Sequence, residues 1–268
     1  MRKILIGLTA FAMIALITVS CNKESVTTSS EVTDQVLSQI KSMGFSTDGV
    51  QAMDGGYLVE GDIFLTPEQL GQRDNGPRLI IANEEQYRTT NLVTGLPRTI
   101  TVSIDSRLAK RAGYSQALQE MVNRYNALNL QLNFQVVSSG ATVSFVNGSG
   151  SFLASAGFPT STGNPHNRVT VNSTALGQGT SSSFINYLAT VMAHELGHCI
   201  GFRHTDYMNR AYSCGGSATN EGASTVGAVL IPGTPSGPDA GSWMLACIGS
   251  GQNRPFNTND RTALDYLY

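Results

Sequence analysis

Residues 193–206 read A-H-E-L-G-H-C-I-G-F-R-H-T-D and hold three of the four histidines in the chain. His194 and His198 are four positions apart, so on a helix their rings lie on one face and can share a metal ion. Glu195 follows the first of them and can reach a water at that metal without binding it. Gly201 supplies a left-handed residue that stops the helix and swings the chain away. His204, three residues on, can then return as a third ligand. Three neutral imidazoles suit a tetrahedral zinc and leave its fourth position open, as in catalytic rather than structural zinc sites.

The short pattern H-E-x-x-H occurs by chance in helical sequences, but the extended form H-E-x-x-H-x-x-G-x-x-H fixes each added position by geometry. Residues 194–206 resemble the metzincin zinc endopeptidases, and the bacterial dual-action HEIGH metallopeptidases in particular. Leu196 stands where that family has isoleucine, which leaves the ligands untouched. The resemblance implies one zinc ion on His194, His198 and His204, with Glu195 as general base, and a protein or peptide substrate. It also implies an α+β metzincin-like fold: a twisted, mostly parallel sheet with two helices, a zinc cleft and a small loop-rich C-terminal subdomain. Metzincins carry a methionine turn beneath the metal; Met244, in S-W-M-L-A, is the candidate, because Met208 follows His204 too closely. Ala246 occupies the position where some relatives place a tyrosine ligand, so a site of three histidines is implied. The region after His204 would wall the pocket for the residue following the cleaved bond. The rival to a peptidase is a surface-anchored binding lipoprotein on the same fold; a second rival is a zinc hydrolase acting on non-peptide substrates.

The elements that must position these residues can be placed along the 268-residue chain. Its net charge of −2 and 13% charged residues argue against nucleic acid as a partner, which would need a basic stripe. No repeats are evident, and a monomer is expected. Arg2 and Lys3, an apolar run and Ser20 make residues 1–20 an export signal. Cys21 after it resembles the lipidated first residue of a bacterial lipoprotein, although Thr18 stands where leucine is usual. The chain is therefore expected outside the cytoplasm, anchored to a bacterial membrane or cell surface through Cys21, with plain secretion as the alternative. Residues 21–30 read as a tether.

Residues 31–77 have the size of a prosegment. Apolar spacing predicts a helix over 31–43, D-G-G at 54–56 a hairpin, and T-P-E at 66–68 a helix start. Within this module Asp62, in V-E-G-D-I, is similar to the aspartate switch of astacin-like zymogens, where a prosegment carboxylate takes the open zinc position. The plain alternative is that Gly61-Asp62 turns a strand. A cysteine switch is excluded, since no cysteine lies between Cys21 and Cys199.

Residues 78–268 are expected to be the catalytic domain, divided into 78–204 and 205–268. Strands are predicted over 98–104, 130–137, 141–146 and 168–171, the last as a short edge strand, which the resemblance to metzincins implies would pair with an extended substrate. Helices are predicted over 114–128, 184–200 and 256–268, the last capped by Asn257 with Asp260. His166 reads as a solvated loop residue. Of the cysteines after Cys21, Cys214–Cys247 is the favoured disulfide and Cys199–Cys214 the alternative.

Overall fold

The computed structural model describes residues 31–71, 86–222, 227–235 and 237–268. The export signal, Cys21, the tether and the boundary at 77/78 lie outside them. No helix among the described residues is long and apolar enough to cross a membrane.

The N-terminal module opens with α1 (Asp34–Ser42), whose first turn is capped by the Thr33 hydroxyl. A meander of β1 (Gln51–Met53), β2 (Gly56–Val59) and β3 (Ile63–Leu65) follows, then α2 (Pro67–Leu70), which Thr66 and Gln69 cap reciprocally. Ile40, Met43, Phe45, Val59, Ile63 and Leu65 bury themselves in a core separate from the main one. Among the described residues outside the module, Phe158 is the one buried in that core.

The larger part begins with β4 (Tyr87–Arg88), β5 (Arg98–Ile104), α3 (Ser106–Ala109) and α4 (Tyr114–Asn126). It continues through β6 (Leu132–Val136), β7 (Val143–Asn147), β8 (Ala154–Ala156), β9 (Arg168–Val171), α5 (Ser173–Leu176) and α6 (Ser182–Cys199). After α6 come α7 (Ala211–Cys214), β10 (Val229–Leu230), paired with β4, and α8 (Thr258–Leu267), with Asn257 and Asp260 forming its capping box.

Eight strands form one sheet in the order β1-β2-β3-β8-β9-β7-β5-β6. β6, β5, β7 and β9 run parallel, whereas β8 is antiparallel to β9. Two long helices back this sheet. α4 turns Leu118, Met121, Val122 and Tyr125 inward, each apolar side chain contributing roughly 1.5–3 kcal/mol on burial. α6 is buried along most of its length and packs on α4, β8 and β9. Tyr125 donates from its hydroxyl to the carbonyl of Ala193 at 2.8 Å, locking the two helices together just before His194.

Residues 168–171 are not the sheet edge expected from the sequence but an interior strand, with β7 on one side and β8 on the other. β8 was missed because Ala154-Ser155-Ala156 carries no β-branched or aromatic pattern. Its small side chains are what allow α6 to pack closely on it. The outer edge of β8 is taken by β3 of the N-terminal module, through a parallel bridge of Ile63 with Ala156.

Candidate metal centre and active site

α6 starts with the Ser181 hydroxyl accepting from Phe184 N, and its last two turns bring His194, Glu195 and His198 over the sheet. α6 ends at Cys199 with Ile200 as its C-cap, and Gly201 follows with a φ of +108°, a conformation that favours glycine. A Cβ there would meet Leu92 Cδ2 at 2.8 Å. The chain then turns back: Arg203 N donates to Tyr87 O at 2.9 Å, and His204 arrives beside the other two histidines.

Each imidazole is held by its inner nitrogen. His194 Nδ1 donates to Trp243 O at 2.9 Å, His198 Nδ1 to Phe202 O at 2.9 Å, and His204 Nδ1 to Glu221 Oε1 at 2.7 Å. A carbonyl or carboxylate oxygen can only accept, so the proton of each neutral ring sits on Nδ1 and its lone pair on Nε2. Those lone pairs converge: His198 Nε2 lies 3.1 Å from His194 Nε2 and 3.2 Å from His204 Nε2. Asp62 Oδ2 lies 3.1 Å from His204 Nε2 and 3.7 Å from His194 Nε2. These four ligand atoms all lie within 4.8 Å of one another.

Electron pairs crowded in a buried space need a cation between them. A tetrahedral zinc with arms of about 2.0–2.1 Å has ligand atoms about 3.3 Å apart, close to the spacings here. The donor set therefore fits zinc, with His194, His198 and His204 as nitrogen ligands and Asp62 placed as an oxygen ligand.

Glu195 is buried beside this cluster, and its Oε2 has no hydrogen-bond partner among the described residues. Burial pushes its carboxyl well above the usual carboxylate range, and the Asp62 charge adds to that. The same carboxylate lines a cavity of about 240 Å³ that also touches His194 and Asp62.

Met244 is fully buried and lies against α6 at Gly197. A Cβ on Gly197 would stand 2.6 Å from Met244 Sδ and 3.3 Å from the Trp243 ring, so the turn approaches the helix closely because this position is glycine. Trp243 Nε1 donates to Ala193 O at 3.2 Å, and Trp243 N to Asp260 Oδ2 at 3.2 Å. The turn thus both underlies the ligands and supplies the acceptor that orients His194.

Sequence reasoning missed the support of His204. Glu221 accepts from His204 Nδ1 and from Arg210 at 2.8 Å, and Arg203 lies 3.6 Å from its other oxygen. Burial alone would raise the Glu221 carboxyl, but His204, Arg203 and Arg210 outweigh it and hold it at about 2. Glu221 sits in a polar loop with no periodicity, so nothing in the sequence marked it. Cys214 and Cys247 form a disulfide, whereas Cys199 is free and buried, so the alternative Cys199–Cys214 pairing is not taken. His166 is half-buried rather than solvated, packed beside Phe64 of β3 and against Gly157.

The description "Dual-action HEIGH metallo-peptidase" matches residues 58–268 of the chain. Among solved structures the chain is similar to "Crystal structure of myroilysin", with 14% identity, 67% of this chain and 86% of the other covered, and a TM-score of 0.40. "Structure of myroilysin" matches with 14% identity over 68% and 96% of the two chains, at a TM-score of 0.41. None of the curated proteins matches the chain. With its family match spanning β2 to the end of α8, the chain belongs to the dual-action HEIGH metallo-peptidases and is a zinc metallopeptidase with a metzincin-like fold.

Proposed function

We propose that the chain is an extracytoplasmic zinc endopeptidase made in a latent form, with Glu195 as its general base and Asp62 as the group that blocks it. One observation carries this reading: the Asp62 carboxylate lies among the three histidine Nε2 atoms, beside the buried Glu195. His194, His198 and His204 would hold the metal. When bound there, zinc supplies a Lewis acid that polarises a peptide carbonyl and makes water acidic enough to react at neutral pH. Glu195 takes the proton of the attacking water on its unpartnered oxygen. It then passes that proton to the nitrogen of the departing amine.

Asp62 anchors the N-terminal module over these groups, so a peptide reaches them only when that anchor is lost and the module swings aside. β3 covers the edge of β8, and Ala156 N donates to Asp62 O at 3.0 Å. The backbone groups with which an extended substrate would pair are thus engaged. The module has its own core, as a removable piece should. In this reading residues 31–77 are the prosegment, and 78–204 and 205–268 are the subdomains of a monomeric enzyme. Residues 1–20 direct export, and Cys21 carries the lipid anchor. A Cys214–Cys247 disulfide suits an oxidising compartment.

The test compares the zinc-loaded full chain with its Asp62→Asn variant on an unstructured protein, with and without chelator. Asp62→Asn should cleave without prior processing, the wild type should do so weakly until processed, and chelator should stop both. Equal activity of the two chains before processing would refute latency through Asp62.

A further inference from the structure

The cavity beside Glu195 extends away from the reacting groups along α6. Thr190 and Val191 line it one helical turn before His194 and Glu195, a distance of about 5–6 Å. Arg254 N donates to Thr190 Oγ1 at 3.1 Å, which places Arg254, also a lining residue, at that far end. A long substrate side chain next to the scissile bond would therefore point from Glu195 towards Arg254.

The chemistry at that end is specific. The walls contributed by Phe152, Val191, Leu245 and Ile248 are apolar. The half-buried Arg254 guanidinium donates to Cys247 O at 2.9 Å and to Gln252 Oε1 at 3.4 Å, both neutral acceptors. Among the described residues no carboxylate lies within 4.0 Å of it. Arg210, the other arginine of the lining, is committed to Glu221 at 2.8 Å. Burial lowers the pKa of Arg254, and the more distant charges of Asp206 and Asp260 offset that only in part. Once Asp62 withdraws, Glu195 is the one carboxylate among the described lining residues, which also include Arg210 and Arg254. A guanidinium has five N–H donors, and a carboxylate can take two of them side by side.

We propose that Arg254 makes this cavity a recognition site for an acidic side chain, so that the enzyme selects peptide bonds flanked by glutamate or aspartate. The proposal rests on the peptidase reading of the same site and deepens it. A purely apolar pocket would instead favour leucine or phenylalanine and be indifferent to charge at position 254.

The experiment uses the zinc-loaded full chain carrying Asp62→Ala and Glu195→Gln, which frees the site and removes turnover. Fluorescent peptides with glutamate, glutamine, leucine or lysine on either side of one central bond are titrated by anisotropy. On one side of the bond, glutamate should bind about tenfold or more tightly than glutamine, as a charged hydrogen bond in a partly buried site allows. Arg254→Met should abolish that ratio, Arg254→Lys should keep most of it, and Arg254→Glu should turn the preference to lysine. Equal binding of glutamate and glutamine peptides, no binding of any peptide, or a ratio unchanged by Arg254→Met would overturn the proposal. Digestion of the same peptides by the Glu195-intact chain separates the two readings. Acid-selective binding without cleavage would sink the peptidase reading alone, and cleavage without acid selectivity would sink the pocket assignment alone.

Discussion

Glu221 Oε1 accepts a hydrogen bond from His204 Nδ1 at 2.7 Å, and neither residue exposes any surface. This contact fixes the tautomer and the direction of the third ligand, and it also gives Arg210 and Arg203 their carboxylate. Glu221→Gln should therefore weaken zinc binding by about 10–100-fold, the usual effect of losing such a support. A competition titration against a chromophoric chelator measures it. An unchanged zinc affinity would mean that ring packing alone orients His204.

Gly197 and Met244 make a second prediction. In an exposed helix Gly→Ala stabilises by about 1 kcal/mol, but here the new Cβ would lie 2.6 Å from Met244 Sδ. Gly197→Ala should instead destabilise by about 1–3 kcal/mol through overpacking. It should also weaken zinc binding, because the displaced turn carries the Trp243 carbonyl that holds His194. Chemical denaturation and zinc titration of the one variant read both effects; a stabilised variant with native zinc affinity would show that the turn has slack.

The ligands were legible in the sequence because each occupies a position forced by α-helical repeat or by the left-handed residue that ends the helix. His194, His198, Gly201 and His204 lie close in the chain, so local geometry sufficed. Met244 and Asp62 were reached by family resemblance, and the structure places both at the cluster across long separations. Glu221, Arg210 and Arg254 left no trace, since a buried loop charge is defined by its partners and not by any period. β8 was invisible for a related reason: Ala154 and Ala156 are small because α6 lies on them, and small residues carry no strand signal. Missing β8 moved the sheet edge one strand inward, to residues 168–171.

Phe158 contributes the link between the two hydrophobic cores. It is buried in the core of the N-terminal module, and its ring stands edge-on to His198 with centroids 5.5 Å apart. Phe158→Ala should cost about 3–5 kcal/mol, largely as looser docking of residues 31–71. Hydrogen exchange in β2 and β3 should then accelerate while that in β5 and β7 is spared. Equal acceleration throughout would mean that the module and the enzyme unfold as one unit.

The Cys214–Cys247 bridge joins cysteines 33 positions apart, and beside it the Asp206 carboxylate accepts from Ala246 N at 2.9 Å and from Ser213 N at 3.2 Å. On loop-closure entropy the bridge contributes about 3–4 kcal/mol. The paired Cys214→Ser and Cys247→Ser substitution should lower the denaturation midpoint accordingly. Because Cys247 also lines the cavity, peptide affinity should fall with it. Unaltered stability would show that the Asp206 hydrogen bonds alone hold this segment.

The most direct measurement is zinc content and turnover of Glu195→Ala beside His198→Ala, both in the Asp62→Asn chain. Glu195 reaches the site without being one of its ligands, so Glu195→Ala should keep one zinc per chain and lose cleavage by several orders of magnitude. His198→Ala should lose both metal and cleavage. Loss of zinc on Glu195→Ala would make Glu195 a ligand, and retained cleavage would remove it from the chemistry; either result would contradict the account.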